Sequence, residues 1–239
     1  MNSRFSGDSA LIAGGTGGLG RSVSLAFLEK DANVHVTYRK QEEFSALERD
    51  VGQHAGRLTG HQLDVTDEAS VRQLVDALLV KHGRLDILVN SVGAYAGGIK
   101  LWETERSVFE QMLDLNLRSG YVLSRVVAPA MLKEKRGSIV NIASKAAIDH
   151  ATGGAAYAAS KAGALAMIDS FAEDLRGTGV RVNSILPNII DTAANRRAMP
   201  GADFTKWPKA EDIAKVVLFL CSDDAKVIHG AAIPVYGSV

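Results

Sequence analysis

The chain has one cysteine in 239 residues, Cys221. A disulfide framework within the chain is therefore excluded, and a reducing compartment is expected. Cys221 closes the apolar run Val216-Val217-Leu218-Phe219-Leu220, so it reads as a small buried hydrophobe rather than a nucleophile. Charge of one sign is also missing. Lys plus Arg and Asp plus Glu both number 27. Nothing in that balance points to a nucleic-acid or membrane surface. No apolar run reaches the roughly 18 residues of a membrane span. The start, Met1 to Asp8, is polar and does not read as a signal peptide. The expected setting is the cytoplasm. The six histidines show no zinc-type spacing, and no metal site is expected. No serine has a nearby His–Asp pattern that would activate it as a nucleophile.

What is present is a hydrophobic content of 46%, enough for a sizeable core. Short apolar runs alternate with longer helical patterns. Strands are expected at 9–13, 33–38, 58–63, 86–90, 137–142, 181–186 and 231–235. Helices are expected at 19–30, 41–52, 67–82, 106–132, through Tyr157, and at 212–221. Strands without polar alternation, separated by helices, predict a parallel sheet covered on both faces. With no repeat or linker in view, residues 1–239 are read as one doubly wound α/β domain of Rossmann type.

Two clusters carry chemistry. The first strand runs into Ala13-Gly14-Gly15-Thr16-Gly17-Gly18-Leu19-Gly20, where a helix opens. Glycines there allow a tight turn and let backbone N–H groups approach a pyrophosphate. At the end of the second strand an acid would hold an adenosine 2′-hydroxyl. This chain has Thr37-Tyr38-Arg39-Lys40 instead. Arg39 can pair with a 2′-phosphate, so NADP(H) is favoured, with NAD(H) possible. Asp64-Val65 can meet the adenine edge; Asp64 can equally cap the following helix. The second cluster is Tyr157-x-x-x-Lys161. On a helix this spacing stacks phenol and ammonium one turn apart. A neighbouring cation favours the phenolate and lowers the Tyr pKa, as a proton donor and acceptor requires.

Taken in order, these pieces resemble the short-chain dehydrogenase/reductase family over nearly the whole chain. Gly14-x-x-x-Gly18-x-Gly20 is similar to its cofactor loop, with Ala13 where Thr is usual. Asn90-Ser91-Val92-Gly93 is similar to its Asn-Asn-Ala-Gly segment. Asn116 matches the active-site helix Asn, and Ser144 lies 13 residues before Tyr157, as the family's catalytic Ser does. Pro187-Asn188 stands where Pro-Gly is usual. The resemblance implies hydride transfer between a nicotinamide cofactor and a small carbonyl or alcohol. It implies Tyr157 as general acid/base, Ser144 as donor to the substrate oxygen, Lys161 as ribose ligand and Tyr157 activator, and Asn116 as holder of a relay water. It implies cofactor contacts from Gly14, Thr16, Gly17, Gly18, Leu19, Gly20, Tyr38, Arg39, Asp64, Val65, Asn90, Ser91, Val92, Gly93, Tyr157, Lys161, Pro187, Asn188, Ile190 and Thr192. It also implies a homotetramer or homodimer, with the helices near 106–132 and 155–176 at an interface.

A narrower resemblance is to dihydropteridine reductases. It rests on Gly93-Ala94-Tyr95-Ala96-Gly97-Gly98, on Ser144 to Asp149, and on the run from Leu186 through Phe204 to Trp207. That branch lacks the Ser and helix Asn kept here and carries an acid where Arg39 stands. Reduction of a quinonoid pterin is thus an alternative reading, and a non-catalytic NADP(H) sensor is a rival of another class. In the loop itself Trp207 either packs or forms a substrate wall with Phe204. Arg196 and Arg197 either bind an anion or face solvent. Tyr95 either stacks at the pocket mouth or packs its loop, and Trp102 suits an interface.

Overall fold

The computed structural model describes residues 5–238. The first four residues of the polar start lie outside it. Seven parallel strands form one sheet in the order β3-β2-β1-β4-β5-β6-β7. They are β1 (Ser9–Ala13), β2 (Asn33–Tyr38), β3 (Leu58–Gln62), β4 (Ile87–Asn90), β5 (Gly137–Ile142), β6 (Val180–Pro187) and β7 (Ala232–Val235). The helices are α1 (Gly18–Leu28), α2 (Gln41–Asp50), α3 (Glu68–His82), α4 (Arg106–Leu113), α5 (Ser119–Glu134), α6 (Ala155–Asp174), α7 (Ala193–Ala198) and α8 (Ala210–Cys221).

Both faces of the sheet are covered, which is why its central strands carry apolar runs. One core packs Ile12, Val34, Val89, Val140 and Ile185 under α1 and α8. The other packs Leu11, Leu88, Ile139 and Val182 under α3, α5 and α6. Local signals set the element ends. Asp67 is the N-cap of α3 and accepts from the Ala69 N–H, while Gly83 ends that helix with φ 77°. The expected helix at 106–132 is present as one continuous run, α4 and α5 being joined by a π-helical segment at Asp114–Arg118. At the amino ends of the central strands, Arg84 and Arg136 bind the buried carboxylates of Asp8 and Asp86, tying the starts of β1, β4 and β5 together. No helix among the described residues is long and apolar enough to cross a membrane.

The topology fixes where a ligand can sit. β1 pairs with β2 on one side and with β4 on the other. The connections leaving β1 and β4 therefore diverge, and a crevice opens beyond the carboxyl ends of the strands at that switch point.

Candidate active site

Every cofactor or catalytic residue expected from sequence lies on a strand's carboxyl end, on the connection leaving it, or on a helix facing the same crevice. The β1 connection is built for close backbone approach. Gly14 has φ 70°, and a Cβ there would meet Val92 Cγ2 at 3.2 Å and the Ser91 carbonyl at 3.3 Å. A Cβ on Gly20 would run into the Gly14 carbonyl oxygen. The Gly14 N–H donates to Thr37 Oγ1 at 3.0 Å, tying the loop to β2. The N-cap of α1, Gly17, offers no side-chain cap, and the first turn carries no acid. The helix thus presents free N–H groups and its positive end to the crevice, which suits a pyrophosphate. Thr192 closes over this point: a Cβ on Gly18 would meet its Cγ2 at 2.9 Å. Thr192 also caps α7, accepting from the Asn195 N–H, and Asn195 donates to the Ile190 carbonyl.

Just past the end of β2, Arg39 is exposed and lies 3.2 Å from an Asp64 carboxylate oxygen. Asp64 does not cap α3. It accepts from the backbone and hydroxyl of Thr66, which hold its carboxyl below the usual range, and Asp67 makes the cap. Tyr38 stacks on Phe44 and donates to Gln41, so its ring is taken up in seating α2. One residue here was not anticipated from sequence. Glu43, in the first turn of α2, accepts from Thr16 Oγ1 at 3.3 Å and lies 3.6 Å from Lys40. A general acidic helix start hides it, and only the fold turns it toward the glycine loop.

The candidate catalytic residues converge from three elements. Ser144 follows β5, and its hydroxyl accepts from the Ala146 N–H at 3.2 Å. The Ser144 side chain also acts to lower the pKa of the Tyr157 phenol. Tyr157 and Lys161 share one face of α6. The Lys161 amine is buried, and it donates to the Ile142 carbonyl at 3.0 Å. Burial pushes its pKa down to about 8. Asn116 sits in the π-helical segment, a local widening common at functional sites. Its Oδ1 accepts from the Ala94 N–H at 2.9 Å, and its Nδ2 donates to the Ala94 carbonyl and to Ser160 Oγ. Gly93 completes the contact. A Cβ there would meet Asn116 Oδ1 at 2.8 Å and Lys161 Nζ at 3.1 Å. Asn90 stabilises the same loop, accepting from the Val92 N–H and donating to Asn141 on the neighbouring strand.

One expectation needs correction. The Tyr157 pKa is not lowered in this structure. The phenol pKa is raised, first by burial; the Ser144 hydrogen bond acts the other way, and Tyr95 adds to the rise. The Lys161 amine donates to the Ile142 carbonyl.

The surrounding loops settle several open alternatives. Trp207 is buried and packs its loop. Phe204 lies between it and Arg196, with ring centroids 4.9 Å apart and the guanidinium 4.9 Å above the Phe204 ring. Arg196 also grips both oxygens of Asp191, so it is an anchor of the loop, while Arg197 is exposed. Tyr95 is 71% exposed, and its ring meets Tyr157 edge to face at 5.0 Å. Trp102 is 81% exposed. Lys145 pairs with Asp149, and His150 meets the Ala146 carbonyl.

A model of the short chain dehydrogenase family matches residues 8–202. The chain is similar to a 3-oxoacyl-[acyl-carrier-protein] reductase, FabG, of Thermotoga maritima, at 30% identity covering 99% of both proteins. It is 33% identical to a D-threitol dehydrogenase of Mycolicibacterium smegmatis, covering 98% of this chain and 93% of that protein. Among solved structures, ElxO with NADP bound superposes with a TM-score of 0.90 at 27% identity, covering 96% of this chain and 97% of the other. A match that runs through the glycine loop, the Ser144 turn and the Tyr157 helix, with relatives aligned end to end, places this chain in the short-chain dehydrogenase/reductase family as an oxidoreductase.

Proposed function

We propose that this protein transfers hydride between NADP(H) and a small carbonyl or alcohol substrate, with residues 1–239 acting as one cofactor-binding oxidoreductase domain. The observation that carries this reading is the convergence of Ser144, at the turn after β5, with Tyr157 and the buried Lys161 amine on α6. The nicotinamide, when bound, supplies or accepts the hydride. The chain's own residues handle binding and protons. The free N–H groups at Gly18 to Gly20 hold the pyrophosphate, and Arg39 meets the 2′-phosphate once it leaves Asp64. Asn90 to Gly93 and Pro187 to Thr192 flank the nicotinamide end.

Tyr157 gives its phenolic proton to the substrate oxygen on reduction and takes it back on oxidation. Ser144 accepts one hydrogen bond from Ala146, so its O–H serves as a donor and turns from the Tyr157 phenol to the substrate oxygen. Lys161 has three donors and spends one on Ile142, so two remain for the cofactor ribose and for charge stabilisation at Tyr157. The Asn116 side chain is fully engaged with Ala94 and Ser160, so a relay water there is held by its main chain.

NADP preference is supported by Arg39, and by a neighbour solved with NADP. Glu43 at Thr16 is the feature that opposes it, since an acid there favours a free ribose hydroxyl. Trp207, buried and in ring contact with Phe204 of its own loop, supports a packing origin for the loop shared with dihydropteridine reductases. A catalytically equipped site weighs against a pure sensor. We also propose a homo-oligomer of the reducing cytoplasm, supported by the exposed Leu101, Trp102 and Phe109 at and before α4 and by the lone buried thiol of Cys221.

The test is oxidation of NADPH, with NADH in parallel, against ketones, aldehydes and quinonoid dihydropterin. Turnover of a carbonyl with NADPH preferred is expected. Tyr157→Phe should lower it roughly 10²- to 10⁴-fold while leaving NADPH binding unchanged. Full activity in Tyr157→Phe overturns the mechanism, and tight binding without any turnover points to the sensor.

A further inference from the structure

The chain does not leave the molecule after β7. Tyr236 turns in and packs on a small cluster formed by Ala143, Ala147, Leu165 and Leu186. Each of these sits next to a functional position. Ala143 precedes Ser144, and Ala147 ends the turn that Ser144 caps. Leu165 is one helical turn beyond Lys161 on α6, and Leu186 precedes Pro187. One ring therefore rests against the supports of the proton-transfer site. Beside it, the Lys145 ammonium lies 5.4 Å from the Tyr236 ring centroid while paired with Asp149 at 3.2 Å. That distance is within cation–π range. Lys145 follows Ser144 directly, so the contact pins the turn that aims the Ser144 hydroxyl.

The next two residues reach the other wall. Gly237 has φ 71° and lies flat on the substrate loop: a Cβ there would meet Pro208 Cδ at 2.8 Å and the Lys206 carbonyl oxygen at 2.9 Å. The Ser238 N–H donates to the Lys206 carbonyl at 3.2 Å. Pro208 in turn accepts from the Asp191 N–H, beside Thr192. Residues 236–238 thus bridge the Ser144 turn and the 204–208 loop. The Tyr236 hydroxyl makes no hydrogen bond among the described residues, so the ring is the working part.

We propose that Tyr236 is a positioning residue for the Ser144 turn, and that the tail at 236–238 clasps the substrate loop against that turn and so sets the substrate side of the pocket. The inference rests on the hydride-transfer reading for its kinetic consequence and on the geometry alone for its structural one. The clasp acts on the substrate side and is separate from the glycine loop and Arg39.

Four variants test it: Tyr236→Phe, Tyr236→Leu, Lys145→Met and the double variant Tyr236→Leu/Lys145→Met. Three quantities are measured: kcat and KM for a turned-over carbonyl, the NADPH dissociation constant by fluorescence, and amide hydrogen exchange of 145–149 and 204–208. Tyr236→Leu should raise substrate KM about two- to fivefold, the size of an exposed cation–π contact. NADPH affinity should not move, and exchange should quicken in both segments. Tyr236→Phe should match the wild type. Lys145→Met should add little to Tyr236→Leu, because both remove one contact. Wild-type KM and exchange in Tyr236→Leu overturn the proposal. So does an equal loss of NADPH affinity that Phe fails to rescue, since that marks general destabilisation. If the wild type binds NADPH but turns over no carbonyl, the hydride-transfer reading fails. The exchange data then decide the clasp on their own.

Discussion

At the scale of single residues, the site is held at a cost in stability. Lys161 is buried with one protein acceptor, and its pKa is pushed down to about 8 by burial. In the unfolded chain a lysine titrates near 10.4. Below about pH 8 both states carry the charge, and the folded state bears the full desolvation penalty, on the order of 3 kcal/mol. Between pH 8 and 10.4 the unfolded chain holds the extra proton, so the penalty fades as pH rises. Lys161→Met should therefore unfold at higher urea than the wild type at pH 7, without cofactor, while losing activity. The gap should close toward pH 10. A variant less stable than wild type at pH 7 would remove the burial argument. Gly93 belongs to the same economy of space. Its missing Cβ is what lets Asn116 and Lys161 come together, and the motif Asn90 to Gly93 shows that requirement in sequence. Tyr236 and Glu43 show the limit. Neither sits in a motif, and each acts through a tertiary neighbour that spacing along the chain does not reveal.

At the scale of elements, a second buried group shapes pH behaviour. His35 on β2 is buried between His61 on β3, at 3.3 Å, and His82 at the end of α3, at 2.8 Å. Burial, then His61, His82 and Lys81, drives its pKa down to about 3. His61 and His82 are also lowered, first by burial. An unfolded His titrates near 6.5. From about pH 6.5 down toward 3 the unfolded chain binds protons that folded His35 refuses. Stability is thus full above pH 6.5 and falls on acidification, by up to about 1.4 kcal/mol per pH unit for this one group. His35→Leu should flatten the urea-midpoint profile between pH 7 and 5, and an unchanged slope would exclude His35 as its source. The cluster was not visible in sequence, because strand pairing alone brings positions 35 and 61 together. The elements themselves were largely legible. The apolar runs mark β1, β2 and β5 at their observed ends, because buried parallel strands have no polar alternation to blur them. The helix read at 106–132 runs without a break from Arg106 to Glu134, and the π segment at Asp114–Arg118 inside it was not legible, since it shifts the helical period too little to register over five residues. Helix α7 went unread because its six residues, Ala193–Ala198, bury no side chain.

At the scale of the molecule, fold and site follow from one topology, but the surface asks for more than one chain. Leu101, Trp102, Phe109 and Ile99 are all exposed beside α4 and α6. Leu101 and Trp102 line an open cavity of about 500 Å³, together with His150, Ala155, Ala159 and Ala162. Monomers seldom leave a contiguous apolar patch of this kind in water. Alanines on the outer face of α6 permit a helix of another copy to approach closely, and the neighbouring large side chains supply area to bury. The inner face of the same helix carries Tyr157 and Lys161, so assembly would also brace the catalytic helix. The wild type should sediment as a dimer or tetramer. Ala159→Arg places a bulky charge in the alanine-lined cavity, outside the crevice, and should shift the protein toward monomer while the fold persists by circular dichroism. A wild type that sediments as a monomer at micromolar concentration, or an Ala159→Arg variant with unchanged assembly, would leave this face without the role its exposed tryptophan suggests.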